Sequence, residues 1–566
     1  MIVFAEKRNF PQLMNPIQLQ IARQSLENDG RLQTVLNQLG VKNEDEGLAL
    51  LAATLNIPVI DLSKTEVPAN ILDKFPIKMI HRFGVFPVGY QKDGTLLIAT
   101  CNPFHLDSID AIAAAINKPA VPVIASPGEL AKLIKANLGV GAETIEGLLA
   151  QNEEEGGVEV LEDIDWDQSG DAAMAQEASV VRLVNDILTE AIESGTSDIH
   201  IEAQEAGMKV RYRIDGVLQT QPMPPEINRF QSAIVSRLKI MARLNIAEKR
   251  IPQDGRIKIK VSDREVDIRL SIIPMLHGEG IVMRILDKDR MNFTLRGIGM
   301  DQDIYEQFGK LIKLPHGILL VTGPTGSGKT TTLYSALNEI KSDDTKIITT
   351  EDPIEYQLDG INQIQVHTKV GLTFAASLRA ILRHDPDVVL VGEIRDFETA
   401  ENAIQASLTG HLVFSTLHTN DAAGAYTRMI DMGVEPFLVS TTVEGIMAQR
   451  LIRRLCKHCK EPYIPDIKDV PDDFPLNQLL EEKGQIFRPV GCRECRQTGY
   501  AGRAALYELL IPNDEIRSLA GNKSPSNEVK KAARASGMET LRDNGWKKVL
   551  AGLTSVDEIV RMAKQD

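Results

Sequence analysis

Cysteine and aromatic residues are scarce in this chain: five Cys and two Trp among 566 residues, with Phe, Trp and Tyr together at 5%. So few thiols argue against a fold held by a disulfide framework and point to metal ligation or burial. Long apolar runs are missing too. No stretch approaches the roughly 18 consecutive apolar residues that suggest a membrane span, and the opening MIVFAEKRNF meets Glu6 and Lys7 too early for a signal-peptide core. The expectation is a cytoplasmic protein that reaches any membrane through partners. Basic residues are not in excess: 63 Lys plus Arg stand against 78 Asp plus Glu, a formal charge of -15. The average surface therefore repels phosphate backbones and anionic headgroups, which disfavours nucleic acid as the main partner. A local basic pocket is still compatible with that balance.

The hydrophobic content of 43% suffices for several cores, and single cores seldom grow beyond roughly 250–300 residues. At least three domains are expected. Apolar spacing in IQLQIARQSL and GLALLAATL predicts helices over 16–55, and 56–140 mixes short apolar runs with Gly and Pro turns, so 1–140 reads as a small α/β region. From 141 to 178 the chain is acidic, with Glu153, Glu154, Glu155, Glu159, Glu162, Asp163, Asp165 and Asp167 close together, and reads as a flexible linker. The alternative, a solvated face of one domain, rests on Trp166 and VEVL.

A further domain is expected over 179–295. In MKVRYRID, Met208, Val210, Tyr212 and Ile214 alternate with Lys209, Arg211, Arg213 and Asp215 before an Asp-Gly turn, and REVDIRLSII repeats the pattern with Val266, Ile268, Leu270 and Ile272. This predicts a half-exposed antiparallel sheet with an arginine-rich polar face. Beyond about 296 the strands become fully apolar, HGILLV, KIITT, DVVLV and HLVFST, with helical stretches between them, as in a parallel α/β domain.

That domain carries the chemistry. GPTGSGKT comprises Gly323, Pro324, Thr325, Gly326, Ser327, Gly328, Lys329 and Thr330, followed by Thr331, and lies between strand HGILLV and helix TTLYSALNEI. The glycines let backbone N–H groups surround phosphates, Lys329 neutralises β/γ charge and Thr330 ligates Mg²⁺. DVVLVGEIRD delivers Glu393 to a strand end near the Mg²⁺ shell. In IITTEDPIEY, Glu355 is the favoured general base, with Glu351 and Asp352 in Mg²⁺ or interface roles. GHLVFSTLHTN holds His411 and His418 seven positions apart, hence on opposite faces of a regular strand; His418 is the better candidate for sensing phosphate. Cys456, Cys459, Cys492 and Cys495 form two CxxC pairs suited to a closed, structural four-thiolate Zn²⁺ site, with disulfides as the alternative.

Taken together, GPTGSGKT, TTEDPIEY, LVGEIRD, GHLVFSTLHTN and the tetracysteine pair resemble the secretion ATPases of the type II secretion and type IV pilus superfamily, over about residues 178–566. The resemblance implies a RecA-like P-loop ATPase domain, preceded by an α+β (PAS-like) domain that closes over nucleotide and by an N-terminal α/β adaptor domain. It also implies ATP as substrate, a homo-hexameric ring, and the names Asp box and His box for TTEDPIEY and GHLVFSTLHTN. Arg269 and Arg284, on VDIRLSII and IVMRILD, match family positions that approach the phosphates; read alone, each is a solvated strand arginine. The zinc pair is similar to the assembly and export branch, with type II secretion preferred over pilus extension. NIPVIDL and GVFPVGYQKDGTLLIATCNPF resemble the adaptor, which docks an inner-membrane platform and the cytoplasmic domain of a membrane-anchored secretion protein. Some relatives bind cyclic di-GMP there through an Arg-Leu-Gly signature and spaced leucines; SLENDGRLQTVLNQLG departs from it, and that ligand is not claimed. Two competing readings are a DNA-moving conjugation-type ATPase and a nucleotide-gated scaffold with negligible turnover.

Overall fold

The computed structural model describes residues 2–5, 13–28, 31–65, 67–72, 75–76, 79–80, 83–138, 178–261, 264–287 and 294–565. The acidic segment falls outside them up to residue 177. The chain divides into two compact units, Met1–Ser262 with Asp267–Ile285, and Asp263–Val266 with Leu286–Asp566. No helix among the described residues is long and apolar enough to cross a membrane.

In the first unit, the periodic apolar segments form the expected helices Pro16–Asn28, Leu36–Leu39 and Glu44–Leu55, which bury Leu26, Leu39 and Leu51 together. The last of these starts at Asn43, whose side chain accepts from the Glu46 N–H at 2.8 Å, satisfying one of the donors a helix start leaves open. A small sheet follows, β1 (Val85–Tyr90), β2 (Leu96–Thr100) and β3 (Ala120–Ile124), antiparallel then parallel, with helices Leu106–Ile116 and Pro127–Leu138.

The second sheet of this unit contains β4 (Thr196–Gln204), β5 (Gly207–Ile214), β6 (Val217–Thr220), β7 (Gln253–Val261), β8 (Arg264–Met275) and β9 (Gly278–Asp287), in the order β6-β5-β4-β9-β8-β7. The predicted alternation holds except at Ile214, beside the turn, which is only partly buried. Met208, Val210 and Tyr212 are buried, as are Val266, Ile268, Leu270 and Ile272. Asp215 and Gly216 both take positive φ, 49° and 82°, the backbone a two-residue hairpin turn needs to match strand twist. Tyr212 donates its hydroxyl to the Ile187 carbonyl at 2.9 Å, tying the sheet to helix Ala178–Glu193.

The second unit is built on β10 (Gly317–Thr322), β11 (Ile347–Glu351), β12 (Asn362–Gln365), β13 (Val388–Val391), β14 (Leu412–Leu417), β15 (Val443–Leu455) and β18 (Tyr500–Leu510), with β16 (Glu461–Tyr463) and β17 (Ile486–Arg488) as a separate ribbon. The seven-stranded order is β12-β11-β13-β14-β10-β15-β18. All its pairs are parallel except β15 with β18. Strands β10, β11, β13 and β14 are buried along their whole length, as parallel strands covered on both faces must be. Register aligns Thr322 with Leu417 and Ala448, and Val391 with Ser415 and Thr350. The carboxyl ends of all four strands therefore share one edge.

At the chain's end, Glu558 is fully buried on helix Val556–Met562. It accepts from the Arg453 backbone N–H at 2.9 Å, from Arg453 Nη2 at 2.7 Å and from Arg561 Nε at 2.9 Å. Burial pushes this carboxyl upward, but the hydrogen bonds from Arg561 and Arg453 outweigh it and hold the group below its ordinary value. Its stabilising contribution is thus present above about pH 4.5, the unfolded value, and fades as pH falls through the lower folded one. Glu558→Ala is expected to lower stability by about 3–5 kcal/mol, because it strands the half-buried Arg453 guanidinium. Urea unfolding at pH 7 measures the loss, and the acid limb of the variant's stability curve should be shallower than that of the wild type.

Candidate functional site

Strand β10 ends at Thr322 and the chain turns at once through GPTGSGKT into helix Lys329–Ile340. Gly323, Gly326 and Gly328 have φ of 151°, 80° and 90°, backbone that L side chains rarely adopt. A Cβ on Gly323 would lie 2.6 Å from both the Gln449 carbonyl oxygen and Ser327 Oγ. The loop is thus pinned from below by β15, and the helix start aims its N–H groups at whatever the loop encloses. Lys329 Nζ donates to the Gly323 and Pro324 carbonyls at 2.8 and 3.1 Å. Burial lowers the Lys329 pKa; Glu393 opposes that and the nearby positive charge of Arg450 adds to it. Thr330 and Thr331 follow on the first helical turn, both half-buried.

Beside the loop, Gly392 at the end of β13 donates to the Thr350 carbonyl at 2.8 Å, which keeps the chain in register as it delivers Glu393 to the sheet edge. The Glu393 carboxylate is mostly covered, ion-pairs with Arg395 and lies 3.2 Å from His418 Nε2. Half-exposed His418 follows β14 directly, one strand from the phosphate loop. His411 sits at the strand's other end, its Nδ1 2.8 Å from the Ala406 carbonyl, where it closes helix Phe397–Leu408. Only one of the two histidines reaches the site.

The three acids of TTEDPIEY are placed differently. Glu351, 4% exposed, accepts from the Tyr334 hydroxyl, from Thr349 Oγ1 at 2.5 Å and from Gln363 Nε2 at 3.1 Å. Its carboxylate is occupied inside the fold, joining the phosphate-loop helix that carries Tyr334 to the Asp-box strand. Asp352 is exposed, and Glu355 is half-buried on the loop beyond, next to Tyr356, whose carbonyl accepts from Gln363 at 3.0 Å.

The strand arginines Arg269 and Arg284 lie on β8 and β9 of the first unit. Arg284 Nε contacts Asp198 Oδ1 at 3.0 Å, and Arg213 Nε lies 3.7 Å from the other oxygen of that carboxylate.

Residues that sequence reasoning did not single out complete the phosphate-loop surroundings. Gln449 and Arg450, consecutive on β15, are 2% and 8% exposed. Gln449 accepts from Thr332 Oγ1 at 2.8 Å, and Arg450 lies against Gly323, Nη1 3.2 Å from the position of its missing Cβ. A Gln-Arg pair inside the apolar AQRLI run was the available signal, because buried polar groups need partners.

Past the end of β15, the four thiols converge: Sγ atoms lie 3.8 Å apart for Cys456 and Cys492, 3.7 Å for Cys459 and Cys495, and 3.7 Å for Cys492 and Cys495. All are free thiols. A tetrahedron with metal–sulfur bonds of about 2.3 Å has edges of about 3.8 Å, so the cage fits a zinc-sized ion. The Gly499 and Gly491 N–H groups point at Cys495 and Cys459 Sγ, at 3.2 and 3.4 Å, the arrangement that supports thiolate charge.

Because Gly323 admits no side chain, Gly323→Ala should displace the loop, lower the urea midpoint and weaken nucleoside triphosphate affinity by tenfold or more, the affinity read by a fluorescent analogue on protein still folded in buffer.

Comparison with known proteins agrees with this layout. A family model described as Type II/IV secretion system protein matches residues 173–561, and an MshEN domain model matches 55–143. The type II secretion system protein E of Xanthomonas campestris pv. campestris is 42% identical across 96% of this chain and 95% of its own length. The type IV pilus assembly ATPase PilB of Myxococcus xanthus is 40% identical across 97% and 96%. Among solved structures, the pilus retraction motor PilT with bound ADP is 28% identical over 67% of this chain and 96% of its own, with a TM-score of 0.45. Matched over most of its length by that first model and by near full-length relatives, the chain belongs to the type II/IV secretion system protein family.

Proposed function

We propose that this chain is a cytoplasmic ATPase motor, working as a homo-hexamer, that hydrolyses ATP to power type II protein secretion. The observation that carries the reading is the convergence on one sheet edge of a phosphate loop, its Lys329 in the field of Glu393, and His418 on the same carboxylate. The near full-length similarity to a type II secretion system protein E supports the secretion role. Type IV pilus extension is the second reading, favoured by the similarity to PilB. Deleting the gene in its host and scoring exported enzymes beside surface pili separates the two.

In the proposed mechanism, Lys329 leaves the Gly323 and Pro324 carbonyls to hold the β/γ-phosphates, and the loop N–H groups surround them. Mg²⁺, held by Thr330 and Glu393, supplies charge neutralisation when bound. Glu355 orients the attacking water, His418 reports the state of the terminal phosphate through Glu393, and Arg269 and Arg284 stabilise the developing charge. Residues 1–140 dock the inner-membrane platform and the cytoplasmic domain of a membrane-anchored secretion protein. Cyclic di-GMP is not among the proposed ligands, since SLENDGRLQTVLNQLG departs from the leucine-spaced signature. The four thiols hold a structural Zn²⁺.

Phosphate release under Mg²⁺-ATP tests the motor. Glu355→Gln, which removes the proposed base, should keep nucleotide affinity and lose roughly 10²–10⁴-fold in turnover; Glu393→Gln should lose turnover by weakening the hold on Mg²⁺, whereas Lys329→Ala should lose affinity itself. Wild type that binds ATP tightly and never turns over, even with the platform domain present, would sink the motor in favour of a nucleotide-gated scaffold. Metal analysis should find one zinc per chain, falling toward zero in Cys456→Ser together with a lower unfolding temperature.

A further inference from the structure

The four residues after His418 are held at each step by a different element. Thr419 shares hydrogen bonds with Thr322, the last residue of β10: Thr419 N to Thr322 Oγ1 at 3.2 Å, and Thr322 Oγ1 to the Thr419 carbonyl at 2.9 Å. Arg450 Nη2 donates to the Asn420 side-chain oxygen at 3.0 Å and to its carbonyl at 3.3 Å. Asp421 accepts from the Gly424 N–H at 2.9 Å. The Ala422 N–H donates to Glu508 Oε1 at 2.8 Å, while the other oxygen of Glu508 accepts from the Leu541 N–H at 3.2 Å, at the start of helix Leu541–Leu550.

Two of these anchors are buried charges, Arg450 at 8% and Glu508 at 1% exposure. Among the described residues neither forms a direct ion pair; Arg450 meets only neutral oxygens, and Glu508 only backbone N–H groups. Buried charges this incompletely matched are costly. A neutral side chain of similar shape would secure stability alone at less cost. What they have in common is the 419–422 segment; burial lowers the Arg450 pKa, and the fields of Glu508 and then Asp421 oppose that. Arg450 also lies beside the phosphate loop at Gly323 and within the field reaching Lys329.

We propose that Arg450 and Glu508 are positioning residues that clamp residues 419–422 and so hold His418 against Glu393, linking the phosphate loop to the His box within one chain. This rests on the ATPase reading of the phosphate loop. Neither side chain touches the reacting atoms; each acts through the backbone that carries His418.

The test uses the full-length chain and compares hydrolysis with affinity for a fluorescent ATP analogue. In R450Q the guanidinium fork is lost, and in E508Q one oxygen becomes an amide that faces a backbone N–H donor to donor. Asn420 is exposed, so N420A removes the shorter, side-chain acceptor of Arg450 and leaves only the 3.3 Å contact to the Asn420 carbonyl. All three should lose at least tenfold in kcat with KM and analogue affinity within about threefold of wild type, and R450K, which keeps the charge without the fork, should recover only part of the rate. A kcat within twofold of wild type in N420A and in folded R450Q overturns the proposal, as does a loss that follows analogue affinity alone. Glu393→Gln assayed alongside reports on the underlying reading: full activity in that variant would remove the ATPase assignment of the site, whereas an inactive Glu393→Gln beside an active R450Q removes only the clamp.

Discussion

Parallel pairing imposes a direction. When β11, β13, β14 and β10 run side by side the same way, each strand's carboxyl end emerges at one edge, and the residue just past each strand has nowhere else to be. Glu351 closes β11, Glu393 follows β13, His418 follows β14 and the phosphate loop follows β10. Residues far apart in the chain are therefore neighbours because of register, and a slip of one residue in any pair would turn a functional side chain to the opposite face. Burial of all four strands on both faces makes such a slip costly, since it would exchange packed Val, Ile and Leu for a mismatched set.

That edge is crowded with polar groups in an otherwise apolar setting, and most of them support other residues. Glu351 is enclosed by Tyr334, Thr349 and Gln363, so the helix behind the phosphate loop is tied to the Asp-box strand through one carboxylate. Gln449 joins the same helix to β15 through Thr332. In the first unit, Asp198 plays a comparable part for Arg213 and Arg284, giving the two cations a shared counter-charge on the open face of a sheet whose other face is its core.

Local chemistry was readable in the sequence wherever a short segment carries its own physical demand. The period-two runs at 208–212 and 266–272 could bury only one face, and they do, while Ile214 at the turn is only partly covered. GPTGSGKT between an apolar strand and a helix, and two CxxC pairs, each specify a geometry within a few residues. Positions decided by distant pairing were not readable. Nothing near Glu351 indicates that Tyr334 and Gln363 will enclose it, so it looked equivalent to Asp352, which stays exposed. Arg450 looked like one more arginine in AQRLIRRLC until the register of β15 against β10 brought it beneath Gly323. His411 and His418 were separable in sequence by parity alone, and the structure adds that one closes a helix while the other faces Glu393.

Strands β15 and β18 pair along most of their length, although the whole Cys456–Gly499 excursion lies between them. Bringing such distant segments together costs chain entropy that grows with the length of the loop to be closed. The thiol cage gathers both ends of that excursion, since Cys456 directly follows Leu455 and Cys495 lies only a few residues before Tyr500. Once those ends are joined, the remaining search for strand register is short, and a pairing of high contact order becomes nearly local. With the proposed zinc bound, the cage would speed formation of the sheet's one described antiparallel pair as well as stabilise the finished fold.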